Sequence, residues 1–328
     1  MKRLLPAALL AVALVAVLAA LTNLQWERVA GTLAALDPGL TAAAFLVYAA
    51  SFAGRGLRLG LLLPGASSFA HLTSISARHI LLAVVLPFRS GEASLPVMLS
   101  VEAGRPLSEG VSVLALMRVL DLLCVAAWLL VGLLLGGAAG ATGQGALAPE
   151  SVRARALLVL GVLAAGVLLA RPLAGRLAPL AGSPRRALRF LGGMAAHVAT
   201  LGSGQLAAAL VASLATWGCT YAACWLLLHA MAGPEALGAA ADVSLAESLV
   251  GTTGLHLSAV IPVSPLAGAG TWEAGWVAGY HWLVGLSEAD AMTSALVSHV
   301  AIFVFIATLG AAAFLFRRRA PAGANWSG

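Results

Sequence analysis

The chain has 328 residues, 61% of them hydrophobic and only 10% charged, with a mean hydropathy of +0.96. A water-soluble domain is nearer a quarter charged, so this composition excludes one and marks an integral membrane protein with several spans. The formal net charge of +6 comes almost entirely from arginine at the ends of apolar runs, which points to membrane topology and away from nucleic acid.

The N-terminus, "MKRLLPAALLAVALVAVLAALTN", has a basic start and then roughly 19 apolar residues, long for a signal peptide. It is expected to be an uncleaved first span at about 4–22. Further spans are expected at about 39–63, 107–135, 156–171, 205–230 and 290–316. Continuous apolar runs of this length predict helices, since barrel strands would alternate. Two other apolar stretches, about 72–102 and 245–285, are too long for one helix. Each is broken by Pro and Gly, at "VVLPFRSGEASLP" and "VIPVSPLAGAGTWEAG". Each reads as two short helices meeting at a tip, a re-entrant hairpin. Cys124, Cys219 and Cys224 all lie inside apolar runs, without the spacing of a zinc site or redox pair.

With both hairpins re-entrant and Lys2 and Arg3 in the cytoplasm, the chain crosses six times and both termini are cytoplasmic. The cytoplasmic ends and loops then hold 14 of the 19 basic residues, among them Arg55, Arg58, Arg78, Arg105, Arg171, Arg176, Arg185, Arg186, Arg189 and Arg317 to Arg319. Three (Arg28, Arg153, Arg155) fall outside, and Arg89 and Arg118 lie at membrane depth. This is the bias of the positive-inside rule.

The two hairpins enter from opposite sides and match in pattern: Pro87, Gly91 and Glu92 beside Pro265, Gly270 and Glu273. The helices that follow, "SVLALMRVLDLL" and "SALVSHVAIFVF", set Arg118 opposite His299. The expected fold is therefore an all-α integral membrane protein. It is a polytopic helical bundle with two re-entrant hairpins in an inverted repeat, about 39–135 and 205–316, within one transmembrane domain over 1–328. Residues 136–204 supply a connecting helix and a basic amphipathic loop. Inverted repeats with broken helices are the architecture of secondary transporters, which bind substrate at the repeat interface.

A charge at membrane depth costs about 2.5–3.5 kcal/mol on insertion scales and marks a functional candidate. The substrate-binding candidates are Arg89 and Glu92 at the first tip, Arg118 and Asp121 on the next helix, Gly268, Gly270 and Glu273 at the second tip, and His299. Arg89 and Glu92 are close enough to pair, as are Arg118 and Asp121, and one shared polar centre is expected. Arg89 and Arg118 suit an anionic headgroup, and Glu92 would orient it. At the second tip Thr271 stands in N-cap position and Glu273 in the first turn, where backbone N–H groups attract phosphate. Trp272, Trp276, Tyr280 and Trp282 read as an interfacial belt. The basic segment 171–190 is expected to lie on anionic lipid. No catalytic triad, P-loop or acidic metal motif is found, so no catalytic residue, metal or cofactor is expected.

The stretches "RGLRLGLLLPG", "LPFRSGE", "LMRVLDLL" and "PLAGAGTWEAG" resemble the transmembrane region of lysylphosphatidylglycerol synthases and its stand-alone, flippase-like relatives, over most of residues 40–317. Leu95 and Ser298-His299 stand where many relatives carry Arg and Tyr-Arg. The resemblance implies a bacterial or archaeal inner-membrane protein that moves a polar lipid between leaflets. It also implies no lipid aminoacylation by this chain alone, for want of the soluble synthase domain. Translocation is thus the leading expectation. The alternatives are an integral-membrane transferase on a polyprenyl or glycolipid substrate, and a membrane scaffold for a soluble synthase docked at 171–190.

Overall fold

The computed structural model describes residues 26–65, 67–136, 149–232, 237–238, 242–258 and 268–315. The expected first span at 4–22, Pro265 at the second tip, and Arg317 to Arg319 lie outside them, as does the side chain of Arg89. All regular structure among the described residues is helical. In chain order the helices are α1 (Trp26–Ala34), α2 (Pro38–Leu62), α3 (Phe69–Val85), α4 (Ser94–Ala103), α5 (Leu107–Leu134) and α6 (Pro149–Leu177). They continue with α7 (Arg186–Thr200), α8 (Ser203–Ala230), α9 (Leu245–Ser258), α10 (Thr271–Gly279) and α11 (Glu288–Leu315). The boundaries have local causes. Asp37 caps α2 by accepting the Leu40 N–H at 2.7 Å, with Pro38 in the first turn. α3 stops at Leu86, the residue before Pro87.

Helices α2, α5, α8 and α11 have 25, 28, 28 and 28 residues and are long and apolar enough to cross a membrane. At ~1.5 Å per residue they extend about 37–42 Å, beyond a hydrocarbon core of ~30 Å. α6 and the 3₁₀ turn after it make a fifth span if its bent halves are counted as one. The protein is an all-α, multi-pass membrane protein.

Both broken stretches double back. In the first, α3 is followed by a 3₁₀ turn at Pro87–Ala93 and then α4. The Arg78 guanidinium donates to both oxygens of Glu102, at 2.8 and 2.7 Å, and His71 lies 3.8 Å from the same carboxylate. His79 Nδ1 meets Ser94 Oγ at 2.9 Å. The end of α4 thus lies beside the start of α3. Gly91 permits the turn, because a Cβ there would overlap the Leu82 carbonyl. In the second stretch, Gly251 of α9 faces Gly279 and Tyr280, while Gly275 of α10 faces Gly254 and Ser258.

The same order of elements occurs twice: α2, the α3/α4 pair and α5, then α8, the α9/α10 pair and α11. α2 packs along α8 more extensively than any other two helices among the described residues. The units then exchange partners. α5 packs on α9, where Gly132 meets Leu249 and Val250. α11 packs on α3, where Gly310 meets Leu81 and Ser74 Oγ donates to the Ala313 carbonyl at 3.3 Å. α6 and α7 flank the first unit, against α5.

Two corrections to the sequence reading concern burial. Arg55, Arg58 and Arg78, counted there as cytoplasmic end charges, are buried on helices, at 8%, 0% and 1% exposure. Arg58 pairs with Asp121 and Arg78 with Glu102, so these two are structural cations rather than topology markers. Trp276 and Tyr280 are core residues: Trp276 Nε1 donates to Ser294 Oγ at 3.0 Å, and the Tyr280 hydroxyl meets Thr252 Oγ1 at 2.8 Å. Of that aromatic group, Trp282 is exposed, at 46%. The segment after 156–171 is also more helical than expected, since α6 reaches Leu177 and α7 begins at Arg186.

Candidate functional site

A cavity of about 230 Å³ lies between the two units. The first unit lines it with Arg55, Glu92, Arg118 and Asp121, and the second with Trp217, His256, Gly268, Thr271, Trp272 and His299. Five of the eight residues expected to bind substrate reach this wall: Glu92, Arg118, Asp121, Gly268 and His299.

The polar centre is built on Asp121. Its carboxylate pairs with the fully buried Arg58 and accepts from Trp217 Nε1 at 2.8 Å. Arg118 NH1 approaches the other oxygen at 3.4 Å. Arg58 also donates to Ser213 Oγ at 3.2 Å. Arg118 reaches in the other direction to Glu92, forming an ion pair, and His79 lies 3.9 Å from Glu92. One continuous chain of charge, Arg58–Asp121–Arg118–Glu92, therefore joins α2, α5 and the first tip. The expected meeting of Glu92 with Arg118 and Asp121 is present, and the partner found for Glu92 is Arg118. Apolar surroundings make such pairs costly to break, because a lone buried charge has no water to fall back on.

The second tip has a smaller set. Gly270, with φ +84°, is the N-cap of α10, which places Thr271 at the first helical position instead of the cap. That left-handed φ favours glycine over a side chain with a Cβ. The Thr271 hydroxyl turns back to the Gly268 carbonyl at 2.9 Å. Glu273 accepts the Gly270 N–H at 2.7 Å through one oxygen and meets His299 Nδ1 at 2.6 Å through the other. The Gly270 N–H is thus occupied by Glu273, and Gly270 and Glu273 stand one layer behind the cavity wall. His299 is stacked under Trp272, with ring centroids 4.7 Å apart and planes 13° apart. The two tips correspond: Glu92 to Arg118 and Glu273 to His299 span 26 residues each.

Arg55, Trp217, His256 and Trp272 line the cavity but were not among the expected site residues. His256 stands edge-on to Trp217 and Tyr221, with centroids 4.6 and 5.0 Å away. Arg55 had a legible signal. Tyr48, Ser51, Phe52, Arg55, Leu59 and Leu62 are buried at three- and four-residue spacing, one face of α2. An arginine on that stripe points into the bundle.

These features define a multi-pass helical membrane protein with a charged cavity lined by two similarly ordered units. The chain belongs to the lysylphosphatidylglycerol synthase TM region family, whose model matches residues 7–310. No curated protein and no solved structure matches the chain significantly.

Proposed function

We propose that the protein is a translocator, not an enzyme, and carries a polar lipid between the leaflets of the inner (plasma) membrane. The headgroup passes through the cavity between the two units while the acyl chains stay in lipid. The observation that supports this most directly is the cavity itself, lined from both units and bearing the Arg118 bridge between Glu92 and Asp121. Ionisable groups at membrane depth mark substrate paths. We read the two units as an inverted repeat, with α3/α4 and α9/α10 as re-entrant hairpins that rock about the α2–α8 contact. The Arg118–Glu92 and Glu273–His299 contacts then hold the tips closed, and Arg89 draws an anionic headgroup to the first tip. The exposed Arg171, Arg176, Arg185, Arg186 and Arg189 rest on anionic lipid at the cytoplasmic face, where a soluble synthase would also dock.

The test is a leaflet-resolved assay in liposomes at matched protein abundance. Arg118→Ala is expected to reduce lipid transfer about tenfold or more, and Arg118→Lys to restore part of it, since a point charge replaces a two-pronged fork. Arg89→Ala is expected to abolish transfer without loss of folded protein. Undiminished transfer by Arg118→Ala would refute this account of the cavity.

A further inference from the structure

The second tip is tied to α11 at two places. Nearer the tip, Glu273 of α10 meets His299 Nδ1 at 2.6 Å, and three residues further on Trp276 Nε1 donates to Ser294 Oγ at 3.0 Å. The two ties differ in kind. Neither an indole N–H nor a serine hydroxyl changes its charge in the physiological range. Histidine does, between about pH 5 and 8. With Glu273 ionised, Nδ1 must carry a proton, because a carboxylate only accepts, and a further proton goes to Nε2. That proton alters two contacts at once. It turns the bond to Glu273 into an ion pair, and it places a cation against the Trp272 ring, which is stacked on His299 at 4.7 Å. Glu273 passes the effect to the tip itself, since its other oxygen accepts the Gly270 N–H at 2.7 Å. The first tip has no such choice. There the partner of Glu92 is Arg118, which keeps its charge at any pH a cell meets.

We propose that Glu273 and His299 form a proton-binding site whose occupancy decides whether the second tip is latched to α11. With the proton bound, an ion pair under a stacked indole holds the tip shut. Without it a neutral donor remains, and α10 swings more readily about the Trp276–Ser294 bond. That the tip moves at all rests on the translocation reading; the proton site rests on the contacts of His299. Gly268, Thr271, Trp272 and His299 line the cavity, which gives the proton its route. The same wall holds Glu92, Arg118 and Asp121, which balance in charge with Arg58, and also Tyr48, Arg55, Cys224 and His256. Arg55 opposes a proton on the ring, and Glu273 is the anion in direct contact with it. Among the other elements packed on α11, α3 carries Arg78 and His79, engaged with Glu102 and Ser94, and α1 carries Arg28, engaged with Asp290. The turn after α10 carries Tyr280 and His281, bonded to Thr252 and to the Leu286 carbonyl.

The experiment uses the full chain in lipid nanodiscs, where both faces meet the same pH. Cys124, Cys219 and Cys224 are replaced by alanine, and spin labels are placed at Ala274→Cys and Leu315→Cys, both exposed positions. Leu315 lies about 24 Å along α11 from His299, a separation that pulsed electron resonance reads well. Distances are compared at about pH 5 and 8.5, either side of the histidine range. With His299 in place, the ratio of open to closed tips is expected to rise about fivefold or more with pH, the usual gap between a charge-assisted and a neutral hydrogen bond. His299→Gln keeps an N–H donor that does not titrate, and its ratio should be the same at both pH values. His299→Arg should hold the tip closed at both. Distances that ignore pH, as a merely structural bond would give, overturn the proposal, and so does a pH response that survives in His299→Gln. Leaflet transfer separates the two ideas. Transfer with pH-independent distances removes the latch and keeps translocation. A pH response lost in His299→Gln, with no lipid transfer at any pH, keeps the latch and removes translocation.

Discussion

In the first doubled-back pair, α3 and α4 are held together by charge: Arg78 grips Glu102 with two hydrogen bonds, and His79 meets Ser94 near the tip. In the second stretch the polar contact is a neutral one just past the end of α10, where the Tyr280 hydroxyl meets Thr252 Oγ1 at 2.8 Å and Ser248 Oγ at 3.0 Å on α9. There α9 and α10 touch through Gly251, Gly254, Gly275 and Gly279, close enough that backbone meets backbone. The outer side of α10 is fixed by Trp276 on Ser294 of α11. In lipid, where burying apolar surface drives little association between helices, both solutions are available: polar groups that find each other, or small residues that let dispersion act at short range. The same shape therefore depends on different atoms in the two units. The first is vulnerable to the loss of one carboxylate, the second to the gain of one methyl group.

The largest effect is expected where removing one acid strands a buried arginine. Glu102→Ala leaves Arg78, 1% exposed, without its partner, and Asp121→Ala does the same to Arg58. Each should cost about 3–5 kcal/mol, read as a fall in melting temperature and in the folded fraction on size exclusion. In the second pair, Gly279→Ala would drive a Cβ into the Gly251 carbonyl. The expected loss is about 1–3 kcal/mol, typical of overpacking. If Gly279→Ala melts like wild type, the glycine contact is not what joins that pair. Trp276→Phe keeps the ring and removes the bond to Ser294, for a loss of about 0.5–1.5 kcal/mol.

The smallest effect lies outside both pairs. Burial holds the His197 imidazole of α7 below its ordinary pKa, aided by Arg105 and opposed mainly by Glu109. The unfolded chain therefore binds this proton more readily than the folded one. The stabilising share is complete above the unfolded value near 6.5 and falls as the pH drops below it. The protection factors of α7 amides, which allow for the pH dependence of exchange itself, should fall modestly from about pH 7.5 to 5.5, and His197→Gln should remove the difference.

Much of the helical framework is legible in the sequence because hydropathy reports it directly. The span expected at 107–135 is α5 (Leu107–Leu134), and that at 205–230 is α8 (Ser203–Ala230). The break at Pro87 is equally plain, since proline and the residue before it cannot continue a helix. The ion pairs are a different matter. Arg58 and Asp121 are 63 residues apart, and Arg78 and Glu102 are 24 apart. An arginine near the end of an apolar run looks like a topology marker until its partner is known. Arg118 and Asp121 were visible as candidates because they stand three apart on one helix. Trp276 and Tyr280 misled because a tryptophan at the membrane surface and one in a core have the same local sequence.

The exchange of partners between the units bears on how the protein is made. α3 is synthesised early, yet the helix that covers it at Gly310 and Leu81 is α11, which leaves the ribosome after every other described helix. Until then the first pair must persist in the bilayer with that face turned to lipid or to the insertion machinery. Its charge clasp, complete within residues 69–103 and independent of anything downstream, equips it to wait. The second pair meets α5, already in place, as soon as it emerges. Truncation before α11 should therefore leave a nascent chain with a formed but uncovered first pair.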